Sequence, residues 1–175
     1  MKVLLIRHTS VDVPKGTCYG WADVPLAETF PQEAAEVARQ LDGKHFDRVF
    51  TSPLSRARRL AHYCGFTDAV ADDRLREMNM GQWEMRRYDD ITDPALQRWY
   101  ADFMHLPATG GESFPMLRAR VGAFLDELRL LPFRHVAVFA HGGVIVAACL
   151  HAGLFGEDDA FSHQPAYGGM IEMEW

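Results

Sequence analysis

Residues 2–9 read Lys2-Val3-Leu4-Leu5-Ile6-Arg7-His8-Thr9 (KVLLIRHT), an apolar run that passes directly into a cation, an imidazole and a hydroxyl. Four apolar residues in a row, with Val and Ile among them, are too few for a helix and suit a strand buried on both faces. Reactive side chains then stand at the carboxyl end of that strand, where ligands bind in open α/β sheets.

Working outward, the pattern recurs twice. The run Asp47–Phe50 leads into TSPLSR (51–56), and His135–Ala140 leads into HGG (141–143). Ile171–Trp175 can add an edge strand. Between the strands lie helical periodicities. Pro31 stands at a first helical position before QEAAEVARQL, with Ala34, Val37, Ala38 and Leu41 on one face. From Ser113 to Leu131 the set Phe114, Leu117, Val121, Phe124, Leu125, Leu128 and Leu131 keeps three- and four-residue spacing. Shorter helices are expected at Leu54–Cys64, Pro94–Met104 and Gly142–Leu154. Strands alternating with helices predict an α/β fold, a three-layer αβα sandwich with a mostly parallel sheet. With no linker, low-complexity tract or repeat, residues 1–175 are expected to form a single domain.

Bulk composition narrows the partners. A net charge of −6 disfavours nucleic acid or an anionic membrane as the main partner. The short apolar start has neither the length of a signal-peptide core nor that of a membrane span, which predicts a cytoplasmic protein. Cys18, Cys64 and Cys149 contain no CxxC pair and leave an odd count, so unpaired, mostly buried thiols are expected.

If the three strand exits converge, they gather Arg7, His8, Thr9, Ser52, Arg56, His141 and the amides around Gly142. Guanidinium forks and free backbone N–H groups match oxyanion geometry, and phosphate is the leading candidate. Taken singly, each residue has a duller role as a solvated loop end or a cap; the coincidence at three exits is what raises the odds.

The motifs RHT (7–9), SPLSRAR (52–58), LREMNMGQWE (75–84), GGESF (110–114) and HGG (141–143), in this order over nearly the whole chain, resemble the histidine phosphatase (phosphoglycerate mutase-like) superfamily. The resemblance implies the phosphoglycerate mutase-like fold, with His8 as the nucleophile that becomes phosphorylated. It assigns Arg7, Arg56 and His141 to the phosphoryl oxygens and Glu77 to the proton donor. It implies a small phosphorylated metabolite as substrate, with no metal and no cofactor. Thr9 stands where the family usually has Gly, and Pro14 where it often has an Asn that touches phosphate; the Thr9 hydroxyl is the available substitute. Glu84, after Trp83, is off the family's acid position and reads as a surface acid.

The segment CYGWADVPL (18–26) resembles the α-ribazole phosphatase branch, which removes a nucleoside 5'-phosphate during assembly of the cobalamin lower ligand. That likeness adds Tyr19 and Gly20 to the expected phosphate and substrate contacts, beside Gly142 from the third strand exit. Tyr19, Trp21, Trp83, Trp99, Tyr100 and Phe103 are candidate faces for a flat base, although helical spacing favours a core role for Trp99 and Phe103. The short stretch between Glu77 and Gly110 favours hydrolysis over mutase transfer. General small-metabolite phosphatase and mutase-like activities remain alternatives. A metal hydrolase using His8, His141, His151 or His163 lacks an HExxH motif. A phosphate-binding domain without catalysis would not need His8, Arg56, Glu77 and His141 together.

Overall fold

A computed structural model describes residues 1–175. Its sheet has five strands: β1 (Lys2–Arg7), β2 (Arg48–Thr51), β3 (Val70–Ala71), β4 (His135–Ala140) and β5 (Met170–Glu174), in the spatial order β3-β2-β4-β1-β5. All neighbours are parallel except β5, which pairs antiparallel with β1 at the edge. The two-residue β3 has no counterpart in the sequence reading, because Val70-Ala71 is too short to show a period.

Alternation along the buried strands divides the core. Val3 and Leu5 of β1, with Val136, Val138 and Ala140 of β4, join a cluster with α4 (Phe114–Leu128) and α5 (Gly142–His151). Leu4 and Ile6, with Ala137 and Phe139, pack on the opposite face against α1 (Phe30–Leu41) and α2 (Ser55–Tyr63). Period-two side chains therefore face a helical layer on each side, the αβα arrangement expected. A third, smaller cluster of Cys18, Met80, Trp83, Ile91, Leu96 and Ala108 supports the loops and the short helix α3 (Ala95–Ala101) beyond the strand ends.

Ser113 caps α4 by accepting the Met116 N–H, and the stripe from Phe114 to Leu128 is buried. Each buried Leu or Phe there contributes about 1.5–3 kcal/mol. The helix stops at Leu128, three residues short of the predicted end: Leu130 is 84% exposed and Leu131 40%. Leu131 continues the spacing but lies beyond the Arg129 C-cap. The predicted helices at 54–64, 94–104 and 142–154 are likewise shorter, at Ser55–Tyr63, Ala95–Ala101 and Gly142–His151. All three cysteines are free; Cys18 and Cys149 are buried and Cys64 is half-buried.

Strand register positions the chemistry. Arg7 pairs with Ala140, so the next residues out, His8 and His141, become neighbours, and the His8 N–H donates to the Ala140 carbonyl at 3.1 Å. Thr51 pairs with Phe139, and the Ser52 N–H donates to the Phe139 carbonyl at 2.8 Å. Three exits distant in sequence thus lie side by side.

Candidate active site

His8 and His141 meet edge to face, ring centroids 5.1 Å apart. His8 is 3% exposed, and its Nδ1 lies 2.7 Å from the Thr9 carbonyl oxygen. A carbonyl can only accept, so Nδ1 carries the proton and Nε2 keeps its lone pair with no partner in the protein. Burial first, then the positive charge of Arg56, lowers the His8 pKa from 6.5 to about 3, with Arg7 adding to the shift and the Thr9 bond opposing it. The ring is neutral. His141, fully buried, is pushed well below its ordinary value by burial and then by Arg56.

His141 Nε2 lies 2.7 Å from Ser52 Oγ. That hydroxyl also accepts the Leu54 N–H; when it gives its own proton to Nε2, the His141 proton is on Nδ1, which has no partner in the protein. Arg56 is 0% exposed and clamped: Nη1 donates to the Ala22 carbonyl at 2.9 Å and Nη2 to the Gly20 carbonyl at 2.6 Å. Arg7 donates from Nη1 to the Pro165 carbonyl at 2.7 Å and stacks on the Tyr167 ring at 4.2 Å.

Five buried side-chain polar atoms lack a partner: Arg7 Nε, Thr9 Oγ1, Arg56 Nε, His141 Nδ1 and Trp99 Nε1. Four belong to this cluster. Orphaned buried donors are rare in folded proteins and mark catalytic or ion-binding sites. Four such groups around a neutral imidazole match what an oxyanion needs.

Glu77 joins from a loop. Its Oε1 accepts the Met78 N–H at 2.9 Å and its Oε2 the Gly143 N–H at 3.0 Å, at the start of α5. A Cβ on Gly143 would lie 2.4 Å from Glu77 Oε1, so the glycine keeps room for the carboxylate. Next to Glu77 opens a cavity of about 380 Å³, lined by Tyr19, Met78, Met80, Tyr88, Trp99, Phe103, Phe114, Leu117, Phe161, Gly143 and Gln164. Its one charged lining residue is Glu77 itself.

The profile of the histidine phosphatase superfamily (branch 1) matches residues 3–175. The chain belongs to that superfamily. Among solved structures, the alpha-ribazole phosphatase from Shigella flexneri superposes with a TM-score of 0.87 at 27% identity, over 99% of this chain and 90% of that one. The Escherichia coli protein named "Probable phosphoglycerate mutase GpmB" is 31% identical over 166 residues, 89% of this chain and 75% of the relative. A Hydrogenobacter thermophilus protein named "Putative phosphoserine phosphatase 2" is 27% identical over 161 residues, 87% of this chain and 79% of its own length. This histidine phosphatase is accordingly a phosphatase-type enzyme.

Several expectations about this histidine phosphatase change. Gly20 has no donor to offer phosphate, because its N–H goes to Glu84 Oε2 at 2.9 Å and its carbonyl to Arg56. Gly142 is buried at the head of α5, and the amide there that meets a carboxylate is the next one, at Gly143. Pro14 is exposed and Thr9 is fully buried, its hydroxyl unpartnered. Trp83 is core, 0% exposed, with Nε1 donating to Asp93; Trp21 lies outside over Arg76. Trp99 and Phe103, read mainly as core, line the cavity, and Phe103 is 39% exposed.

Glu84 is not a surface acid. It accepts N–H groups from Gly20, Trp21, Ala22 and Met80. Tyr167 and Gln164 were missed altogether. The Tyr167 hydroxyl lies 2.8 Å from that of Tyr19, and its ring centroid is 5.5 Å from that of His8. The available signal was the Pro165 and Gly168-Gly169 turn chemistry just before the edge strand, which returns the chain past the His8 carbonyl, acceptor of the Gly168 N–H.

Proposed function

We propose that the protein hydrolyses phosphomonoesters through a phosphohistidine at His8, without a metal. The observation that carries this reading is the His8 ring: pinned at Nδ1, held neutral, and open at Nε2 beside Arg56 and His141. Nε2 attacks phosphorus and the ester P–O bond breaks. Glu77 gives its proton to the departing alkoxide, then takes one from the water that attacks phosphorus as the P–N bond breaks. Charge on the equatorial oxygens is met by Arg7, Arg56 and the His141 Nδ1 proton, donors fixed before substrate arrives. The neutral nucleophile needs no metal-bound hydroxide, and no group of three or more His, Cys, Asp or Glu is placed to hold a metal ion.

The substrate favoured by this reading is α-ribazole 5'-phosphate. Its support is the structural likeness to the Shigella flexneri enzyme and the apolar, aromatic cavity next to Glu77. The relatives named for phosphoglycerate and phosphoserine suggest a second reading. Both of those compounds carry a carboxylate, and this cavity has no Lys or Arg in its lining to pair with one. Steady-state kcat/KM for α-ribazole 5'-phosphate, AMP, 3-phosphoglycerate and phosphoserine decides between them. A preference for either carboxylated substrate, or a flat profile, would overturn the α-ribazole assignment. Activity abolished by EDTA and restored by a metal would overturn the metal-free mechanism.

A further inference from the structure

Glu84 stands outside the chemistry just described, yet it makes more backbone contacts than any catalytic side chain. Oε2 accepts from Gly20 at 2.9 Å and Ala22 at 3.2 Å; Oε1 accepts from Trp21 at 2.8 Å and Met80 at 3.0 Å. Three successive N–H groups of one loop and one of another converge on a single half-buried carboxylate. Such charge-assisted bonds are stronger than neutral ones.

The two loops so joined are the two that matter. Gly20 and Ala22, while donating N–H to Glu84, turn their carbonyls to the two Nη atoms of Arg56. Met80 belongs to the segment that begins at Glu77. The loops touch closely: a Cβ on Gly20 would fall 1.8 Å from the Met78 carbonyl oxygen, so only glycine fits there. Burial lowers the Arg56 pKa, and the charges of Glu77, Tyr19 and Asp23, then Glu84, oppose it.

We propose that Glu84 is a positioning residue that sets the separation between the phosphate-holding Arg56 and the acid Glu77. With both Nη atoms held by carbonyls whose loop Glu84 fixes, the guanidinium keeps its unpartnered Nε–H for the anion. The assignment rests on Arg56 as a phosphate ligand. It sets Glu84 apart from Glu77 as a proton donor: each Glu84 oxygen accepts two backbone N–H groups, which uses both its lone pairs, whereas each Glu77 oxygen accepts one and keeps a site for a proton.

The test uses the full chain as Glu84→Gln and, should that variant fold poorly, Glu84→Asp, which keeps the charge but shortens the reach. Orthovanadate affinity is measured for wild type, Glu84→Gln, Arg56→Ala and the double variant. Glu84→Gln is expected to weaken vanadate about 10-fold or more, as when hydrogen bonds to a charged group are lost. Arg56→Ala should cost far less in the Glu84→Gln background than in wild type, because residues acting through one network are not additive. Arg56 side-chain N–H resonances should shift and exchange faster in Glu84→Gln. Full additivity, or vanadate affinity within about twofold of wild type, would show that Glu84 only braces the fold. A wild type that binds no vanadate would defeat the phosphatase reading, while the Arg56 resonances would still decide the role of Glu84.

Discussion

The two ends of the active site are built differently. At the phosphate end, His8, Ser52 and His141 sit one residue beyond paired strands, and His8, Arg56 and His141 are almost wholly buried, with a hydrogen bond fixing each. At the proposed leaving-group end, the cavity is lined mainly from loops and short helices between Tyr19 and Gln164, with Phe114 and Leu117 from the start of α4 and Gly143 from the start of α5; it is largely apolar, with Phe103 partly open to solvent. The first arrangement fixes charge and direction; the second offers surface and shape. In the proposed mechanism, chemistry that tolerates little displacement sits at the strand ends and substrate choice at the cavity lining.

Perturbing each end tests this division, and the effects should fall in order. His8→Ala should abolish the acid-labile, alkali-stable phosphoprotein in single-turnover labelling and reduce kcat by on the order of 10⁴-fold or more, as loss of a nucleophile does elsewhere. Residual labelling would locate the nucleophile at another residue. Arg56→Ala should cost roughly 100- to 1,000-fold in kcat/KM for every substrate alike, since it touches the common phosphoryl group. A loss confined to one leaving group would erase the contrast between the ends.

Glu77 lies at the junction and should respond to leaving-group chemistry. Glu77→Gln should slow alkyl phosphates by about 100-fold or more and p-nitrophenyl phosphate far less, because that phenolate departs without a proton. Equal slowing of both would remove Glu77 from the acid role. Phe103→Ala should be milder, about 10-fold in kcat/KM for aromatic nucleoside phosphates, with vanadate affinity unchanged. Weaker vanadate binding in that variant would mean that the ends are not separable.

The smallest expected effect is on stability. The folded-state His8 pKa lies below its ordinary value, so below pH 6.5 an unfolded chain takes up a proton that the folded chain refuses until about pH 3. His8 and His141, shifted in the same direction, therefore contribute a stability that is complete above pH 6.5 and declines as pH falls toward 3. Urea unfolding of wild type and His8→Asn at pH 7.5 and 5 should show a shallower decline in the variant. The same shift means that kcat/KM should have no acid limb near pH 6.5 from His8; a limb there that vanishes in no other histidine variant would contradict a neutral buried ring.

How much was legible follows the same boundary. Lys2–Ile6 and His135–Ala140 announce buried strands through unbroken apolar runs, and their exits carry residues whose chemistry is recognisable in isolation. Glu84 was misread because a carboxylate's value depends on what surrounds it: nothing local says that three amides of residues 20–22 will turn toward it. Tyr167 was missed because it reaches His8 across the edge-strand turn, a contact spanning most of the chain. Trp83 and Phe103 exchanged expected roles for the same reason, one sealed in the third cluster and the other left at the cavity mouth.

The amino-acid order by itself determined the parallel sandwich and the sites where strands hand over to polar residues, because periodicity and functional-group type are local properties; the roles proposed for His8, Arg56, Glu77 and His141 rest on the family motifs that contain them. Tertiary structure alone decided which His8 nitrogen is free, which amides hold Glu84, and which aromatic rings line the cavity beside Glu77. Those depend on distances between residues far apart in the chain, and such distances are set by strand register and loop packing.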